Sequence, residues 1–240
     1  MKPLQHAQIS QKIHGGTWQD YIEIHNFLDS SKTACPHFKH RFLLHHAEGI
    51  ELGVQIFGER FTNSEDKSIE TRRLLTEHLI EDVGKVVTVE DWARGFLPDR
   101  QDSFYEFLDK KRRQIETDAV SGEKQLLDSF QLSEKDRAAV KSFLAFPLKN
   151  STHPAALLFS HNSFVIYLAE RILGYAFIKA TKTRQEQFVS VREVFERVIF
   201  LRLKTIFSPA EIVARTESKE WMRGADANKA PAEKKRLALI

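Results

Sequence analysis

The amino-acid sequence predicts an all-α protein, with a helical front domain that encloses a His/Asp-lined cavity and a Phe-rich helical back domain. Apolar residues recur at helical spacing along most of the chain, and helix-capping residues precede several of these runs. The predicted domains are residues 1–97 and 98–222, followed by a flexible basic tail at 223–240. Pro98 and the polar run after it mark the boundary between the two domains.

Glycine, proline and capping residues set the expected helices of the front domain. Gly15, Gly58 and Gly84 follow three of the apolar runs, and Pro36 stands at a favoured first helical position. The expected helices cover residues 3–13, 17–28, 36–57, 71–83 and 88–96. Residues 59–70 are expected to form a turn.

The back domain has longer apolar runs, and it contains twelve of the 18 phenylalanines. The expected helices cover residues 133–146, 154–179, 184–207 and 209–222. Phenylalanine-rich helices more often form a core or a subunit interface than a cofactor pocket, so we expect this domain to form a homo-oligomer. The sequence shows no internal repeat of useful length.

Several features indicate an intracellular, cytoplasmic protein. Cys35 is the single cysteine, so the chain has no intramolecular disulfide. The first residues lack the apolar core of a secretory signal. The most apolar stretch, 155–180, is interrupted by Glu170, Arg171 and Lys179, so we expect a core helix there and not a membrane span.

Charge and histidine content distinguish the front domain from the rest of the chain. Residues 1–97 contain 11 Lys and Arg against 14 Asp and Glu, and they contain eight of the ten histidines. An acidic, imidazole-rich segment suits a metal cation better than a nucleic acid. We therefore expect a divalent metal as a partner, and neither a nucleic acid nor a membrane.

Two His-x-x-x-Asp pairs give the strongest chemical signal. His25 and Asp29 lie on one predicted helix, and His78 and Asp82 lie on another. Residues four apart share one face of a helix, so each helix presents a nitrogen and an oxygen donor to the same cavity. Helix-bundle metal sites are built in this way. Imidazole and carboxylate together suit zinc, iron, manganese or nickel.

The third predicted helix carries four histidines, and their helical positions separate them. His40 and His46 fall on the apolar side and are candidate ligands, whereas His37 falls on a polar stripe. His45 lies between these cases. His6 adds a candidate from the first helix. The candidate metal ligands are therefore His6, His25, Asp29, His40, His46, His78 and Asp82.

Less specific interpretations fit the same residues. Each Asp of the two pairs can fix the tautomer of its own His by a hydrogen bond, without any metal. Glu77 is the candidate general base for a metal-bound water, but a solvated acidic face also explains this residue.

The polar residues of the front domain occur in an ordered pattern. Its most specific parts are His6-Ala7, Gly15-Gly16, Asp20-Tyr21, His40-Arg41, His45-His46-Ala47-Glu48-Gly49, Glu77-His78, Glu81-Asp82-x-Gly84 and Asp91-Trp92. Over residues 5–97 this pattern resembles an uncharacterised bacterial and phage domain family. The resemblance implies a recurring module, to which residues 98–240 are an addition, and it implies no activity.

Metal-dependent helical phosphohydrolases of the HD type offer a weaker analogy, because they also gather His and Asp from several helices. This chain has no adjacent His-Asp dipeptide.

The sequence thus supports two hypotheses. The first is a divalent-metal protein that hydrolyses a phosphate-containing small molecule. The second is a non-enzymatic interaction protein whose His/Asp network is structural and whose back domain drives self-association.

Overall fold

A computed structural model describes residues 1–98, 102–180 and 186–224. Most of these residues are helical, which confirms the all-α fold class. The α-helices are α1 (Pro3–His14), α2 (Gln19–Asp29), α3 (Ala47–Phe57), α4 (Thr71–Val83), α5 (Val89–Phe96), α6 (Ser103–Glu116), α7 (Glu123–Ser129), α8 (Glu134–Ala145), α9 (Leu157–Ser160), α10 (Ser163–Leu173), α11 (Val191–Leu203) and α12 (Pro209–Arg215). Short 3₁₀ segments are Ser30–Thr33, Phe38–Leu43, Phe146–Leu148, Pro154–Ala156 and Glu220–Arg223.

Two antiparallel hairpins interrupt the helices. Their strands are β1 (Arg60–Thr62), β2 (Ser68–Glu70), β3 (Ala176–Ile178) and β4 (Phe188–Ser190). Among the described residues, we find no helix with both the length and the apolar character that a membrane span requires.

The chain divides into two compact units. The first unit comprises Met1–Thr88 and the segment that begins at Ser218, and the second unit is Val89–Glu217. The predicted domains at 1–97 and 98–222 stay a prediction. Residues 99–101 of the predicted boundary, and the predicted tail from residue 225 onward, lie outside the described residues.

The predicted helix at 36–57 is wrong, because the chain turns between its two halves. The 3₁₀ segment Phe38–Leu43 ends before Leu44, and His46 adopts an extended backbone with φ −154° and ψ 166°. The His46 ring then caps α3, since its Nδ1 accepts a hydrogen bond from the Gly49 N–H at 3.0 Å. A Cβ at Gly49 would lie 1.9 Å from the Leu44 carbonyl oxygen, so this turn requires a glycine.

The turn expected at 59–70 contains the first hairpin. The Arg60 side chain supports it by donating hydrogen bonds to Ser68 and Glu70 on the opposite strand.

The helix expected at 154–179 is also interrupted. Asn162 caps α10, because its side-chain oxygen accepts hydrogen bonds from the N–H groups of Phe164 (2.9 Å) and Val165 (3.1 Å). Gly174, with φ 88°, then ends α10 before β3 begins.

The last two expected helices are shorter than predicted. Of the range 184–207, residues 184 and 185 lie outside the described residues, β4 follows, and Ser190 caps α11 at Val191. The range 209–222 contains α12 and a 3₁₀ segment, because the chain becomes extended at Thr216.

Helix α2 packs against α1, α3 and α4 in the core of the first unit. Tyr21, Phe27 and Leu74 are buried among these helices. A Cβ at Gly53 would lie 2.5 Å from Leu75 and 3.1 Å from Phe27, so the missing side chain lets α3 approach closely. In the second unit, α10 and α11 pack against each other around a core that includes Phe195.

Replacing Gly49 by alanine tests the turn that precedes α3. We expect Gly49→Ala to lower the free energy of unfolding by about 2 kcal/mol, because the new methyl group must displace the Leu44 carbonyl. Urea denaturation followed by circular dichroism measures this. Gln55→Ala, at an exposed position of the same helix, is the control. Equal stability of the two variants would contradict the described turn.

Candidate metal centre

Five histidines and two aspartates of the first unit lie together in its interior. We call this set the His/Asp cluster: it consists of His6 on α1, His25 and Asp29 on α2, His40 in the 3₁₀ segment, His45 in the turn, and His78 and Asp82 on α4. None of these residues is more than 4% exposed. The cluster therefore places up to seven donor side chains in the interior of the first unit.

The Asp82 carboxylate lies at the centre of the His/Asp cluster. The Nε2 atom of His45 lies 3.2 Å from its Oδ2, that of His78 lies 3.8 Å from Oδ2, and that of His6 lies 3.3 Å from Oδ1. Two ligand atoms that are each about 2.1 Å from one ion are about 3–3.5 Å apart. The three imidazoles and the carboxylate are therefore spaced in a way that suits a shared ion.

Asp29 contributes the second carboxylate. Its Oδ1 lies 3.6 Å from His45 Nε2 and 3.4 Å from His40 Nε2, and its Oδ2 accepts a hydrogen bond from Lys32. Donor atoms of Asp29, His45, His78 and Asp82 all lie within 4.8 Å of one another, and so do those of His6, His25 and His78. His78 belongs to both groups, so it is the residue on which the cluster depends most.

His25 contacts the His78 ring on the side that faces away from Asp82. Its Nδ1 lies 2.9 Å from the Nδ1 of His78, and its Nε2 lies 2.9 Å from the hydroxyl of Ser10. One hydrogen is shared between the two Nδ1 atoms, and this contact orients the His78 ring with its Nε2 towards Asp82. Within the described residues, the buried Nε2 atoms of His6 and His78 make no hydrogen bond. A cation would satisfy both of them.

Burial keeps most of the imidazoles neutral. It lowers the pKa of His25 to about 2 and that of His45 to about 3, in both cases with a further contribution from His78. Burial likewise lowers the pKa of His78. His6 differs: burial would lower its pKa, but Asp82 and Glu81 together raise it above its ordinary value. His25, His45 and His78 are therefore in the neutral form that binds a metal.

The two aspartates are ionised in spite of their burial. Burial would raise the pKa of Asp82, but the close polar contacts with the imidazoles of His45, His6 and His78 outweigh it and hold this pKa far below its usual range. For Asp29, the hydrogen bonds from His40 and Lys32 lower the pKa in the same way. The cluster thus offers two carboxylates together with its neutral imidazoles.

Fixed positive charges surround the carboxylates. The amino group of Met1 lies 2.7 Å from Asp82 Oδ1, and the Nε of Arg41 lies 3.3 Å from Asp82 Oδ2. Arg41 also donates hydrogen bonds to the carbonyls of Met222 and Arg223. The segment that begins at Ser218 is therefore tied to the cluster through Arg41.

The structure brings most, but not all, of the predicted ligands together. His6, His25, Asp29, His78 and Asp82 lie in the cluster, and His40 lies at its edge, with its Nδ1 bonded to the His37 carbonyl. His46 lies outside these groups. Its Nδ1 caps α3, and its Nε2 lies 3.2 Å from the Leu43 carbonyl oxygen.

His45 occupies a central position that the sequence did not assign to it. The expected helix at 36–57 left His45 between its apolar side and the polar stripe that carries His37. The turn at residues 44–46 breaks this periodicity and directs His45 into the cluster. The signal that would have revealed it is Gly49, which marks a close approach of the preceding chain.

Glu77, the predicted general base, points away from the cluster. Its carboxylate accepts hydrogen bonds from His14 (2.8 Å) and Arg73 (2.9 Å) and is 24% exposed. Besides Asp82, which belongs to the cluster, the carboxylate of α4 that contacts the cluster is that of Glu81, which pairs with His6. The catalytic role of Glu77 stays a prediction.

Comparison with known proteins covers the part of the chain that holds the cluster. Residues 1–101 match the family model described as a domain of unknown function (DUF6915). This match confirms the resemblance expected for residues 5–97, whereas an origin in bacteria or phages stays a prediction. Searches of curated proteins and of solved structures gave no match.

The buried neutral histidines predict that the metal-free protein loses stability in mild acid. Below the ordinary histidine pKa of 6.5, the unfolded chain takes up protons that folded His25 and His45 do not bind. Each of these residues then removes roughly 1.4 kcal/mol of stability per pH unit. Urea denaturation in the presence of a chelator, between about pH 7.5 and pH 5, measures this slope.

His25→Gln removes one of the two groups, so we expect a shallower slope for this variant. The comparison with the unchanged protein cancels the opposite contribution of His6. Gln55→Ala, at an exposed position that carries no titratable group, should leave the slope unchanged. Equal slopes for the original protein and both variants would show that His25 is not held neutral in the fold.

Proposed function

We propose that the first unit binds a divalent transition-metal ion in the His/Asp cluster. The proposed ligands are His45, His78, Asp29 and Asp82, with His6 as a fifth. The observation that carries the proposal is the convergence of three buried Nε2 atoms within 3.2–3.8 Å of the Asp82 carboxylate. In this arrangement His25 orients His78 and is not itself a ligand.

The donor set favours particular metals. Imidazole nitrogens combined with carboxylates are typical ligands of zinc, iron, manganese and nickel, whereas calcium takes oxygen ligands alone. We therefore propose zinc, iron, manganese or nickel as the bound ion. His40 and Lys32, which both contact Asp29, would hold that ligand in place.

Metal binding is tested with two matched histidine variants of α1 and with His78. We expect the protein to bind one equivalent of Zn²⁺ in equilibrium dialysis, and His78→Gln to lose this binding. His6→Gln should weaken it, while His14→Gln, on the same helix but paired with Glu77, should retain it. His25→Gln should bind about 10–100 times more weakly, because it removes the support of a ligand.

Equal metal content in His78→Gln and the unchanged protein would contradict this assignment. If the unchanged protein binds none of the four metals, the network is structural, and the alternative of an interaction protein is favoured. Exposed aromatic residues of the second unit support that alternative, and light scattering would measure the oligomeric state. They are Tyr175, Phe188 and Phe200.

For the reaction, we propose hydrolysis of a phosphate-containing small molecule. A metal ion lowers the pKa of a bound water and thereby supplies a nucleophile near neutral pH. The specific observation in favour of a phosphate is Lys32, whose side chain is 37% exposed while its ammonium group contacts Asp29. A partly exposed cation beside the proposed metal ligand Asp29 is suited to hold a phosphate oxygen.

Hydrolysis is tested with p-nitrophenyl phosphate and the protein loaded with each of the four metals. We expect metal-dependent release of p-nitrophenol, a higher KM in Lys32→Ala, and no change in Lys12→Ala on the exposed side of α1. Metal binding without any turnover of this phosphomonoester would leave the ion with a structural role and would overturn the hydrolase proposal alone.

A further inference from the structure

The two units contain the same run of elements. In each unit, a helix of 11 residues ends at a glycine, a short hairpin follows, and a helix of 13 residues begins at once after the second strand. The first run is α3, Gly58, β1, β2 and α4, and the second is α10, Gly174, β3, β4 and α11. The two glycines have similar backbone angles, with φ 82° at Gly58 and 88° at Gly174.

Backbone hydrogen bonds outside the regular elements recur at corresponding places. The bond from Ala47 N to Val87 O (2.8 Å) in the first unit corresponds to that from Ser163 N to Phe207 O (2.9 Å) in the second. The bond from Thr71 N to Glu59 O (3.0 Å) corresponds to that from Val191 N to Tyr175 O (3.0 Å). The bond from Gly84 N to Ile80 O (2.7 Å) corresponds to that from Lys204 N to Phe200 O (2.7 Å). The bonds of Ala47 and Ser163 each join residues that are about 40 positions apart in the sequence, so helix formation alone does not explain them. Its recurrence indicates one fold that is present twice.

The turn before each 11-residue helix has the same construction. His46 caps α3 and Asn162 caps α10, and in both cases the side chain accepts a hydrogen bond from the third N–H of the helix. A histidine stands immediately before each cap. These histidines, His45 and His161, are both fully buried.

The partner of each buried histidine lies at the same place on the 13-residue helix. Asp82 is the last residue but one of α4, and its Oδ2 lies 3.2 Å from His45 Nε2. Arg202 is the last residue but one of α11, and its Nη1 donates to His161 Nε2 at 3.2 Å. A charge has thus been reversed at one position while the contact with the histidine has been kept.

The remaining neighbours complete the comparison. Four residues before Arg202, Val198 stands where α4 has His78, and its side chain belongs to the apolar core. The Arg202 guanidinium donates two hydrogen bonds to the Glu123 carboxylate on α7, at 2.7 and 2.8 Å. Both residues are buried, so the pair carries its own charge balance.

We infer that the second unit contains a second copy of the fold around the metal centre, in which the Arg202 guanidinium supplies the positive charge that a metal ion supplies in the first unit. The comparison with a metal rests on the proposed function, whereas the duplicated fold does not. The second site still has two possible metal donors, His161 and Glu123. If the Arg202 guanidinium is removed, we expect the site to bind a divalent transition metal.

Restoring the missing donors tests this inference. In the full-length protein, Val198→His combined with Arg202→Asp returns the two residue types of α4 to α11, next to the existing His161 and Glu123. We expect this double variant to bind one more equivalent of Zn²⁺ in equilibrium dialysis than the unchanged protein. Val198→Leu combined with Arg202→Met, which changes the same positions without adding donors, should bind no additional zinc.

Arg202→Asp alone provides a test if the double variant does not fold. We expect its thermal midpoint to fall in chelator and to rise on addition of Zn²⁺ by more than that of the unchanged protein, whereas Arg202→Met should show no such additional rise. No extra zinc and no extra stabilisation would overturn the inference that Arg202 stands in for a metal ion in the second copy of the fold. Both readouts are differences from the unchanged protein, so they are informative even if the first unit binds no metal.

Discussion

The buried negative charge of Asp82 is the constraint on which the first unit depends. An ionised carboxylate away from water costs several kcal/mol unless it is paired and hydrogen-bonded. Its partners come from distant parts of the chain: His6 on α1, His45 in the turn before α3, and Arg41 in the 3₁₀ segment. Helix packing around Asp82 and satisfaction of its charge are therefore the same structural requirement.

The second unit meets this requirement with the opposite sign. At the matching position Arg202 is the buried charge, and Glu123 balances it through two hydrogen bonds. Burial and the charge of Arg202 hold the pKa of His161 well below its ordinary value, so this histidine accepts a hydrogen bond as a neutral ring. In the second unit, Glu123 and His161 pair with the buried guanidinium. In the first unit, the Nε2 atoms of His6 and His78 make no hydrogen bonds among the described residues.

Local patterns predicted the parts of the site that lie on regular helices. The range of α4 follows from its apolar spacing and from Gly84, and the spacing of four residues placed His25 with Asp29 and His78 with Asp82 on common faces. His45 was not predictable in this way, because its direction depends on a turn that side-chain capping by His46 creates. The break at Asn162 has the same cause.

The duplicated fold was not visible in the sequence for a related reason. Corresponding core positions keep their apolar character but change residue, as Leu75 and Phe195 do, and Leu79 and Ile199. What recurs is the backbone: caps, positive-φ glycines and long-range N–H···O=C bonds. Packing tolerates exchange among apolar side chains of suitable volume, so the fold can persist after sequence similarity is lost.

The different roles of the adjacent residues His45 and His46 affect how related sequences should be aligned. Although identical in type, they are not interchangeable: His45 faces the interior charges, and His46 holds the first turn of α3. Their order is set by the step of one residue across the turn, where Gly49 admits the Leu44 carbonyl. An alignment that slips by a single position here would give the role of the residue that faces Asp82 to the residue that caps α3.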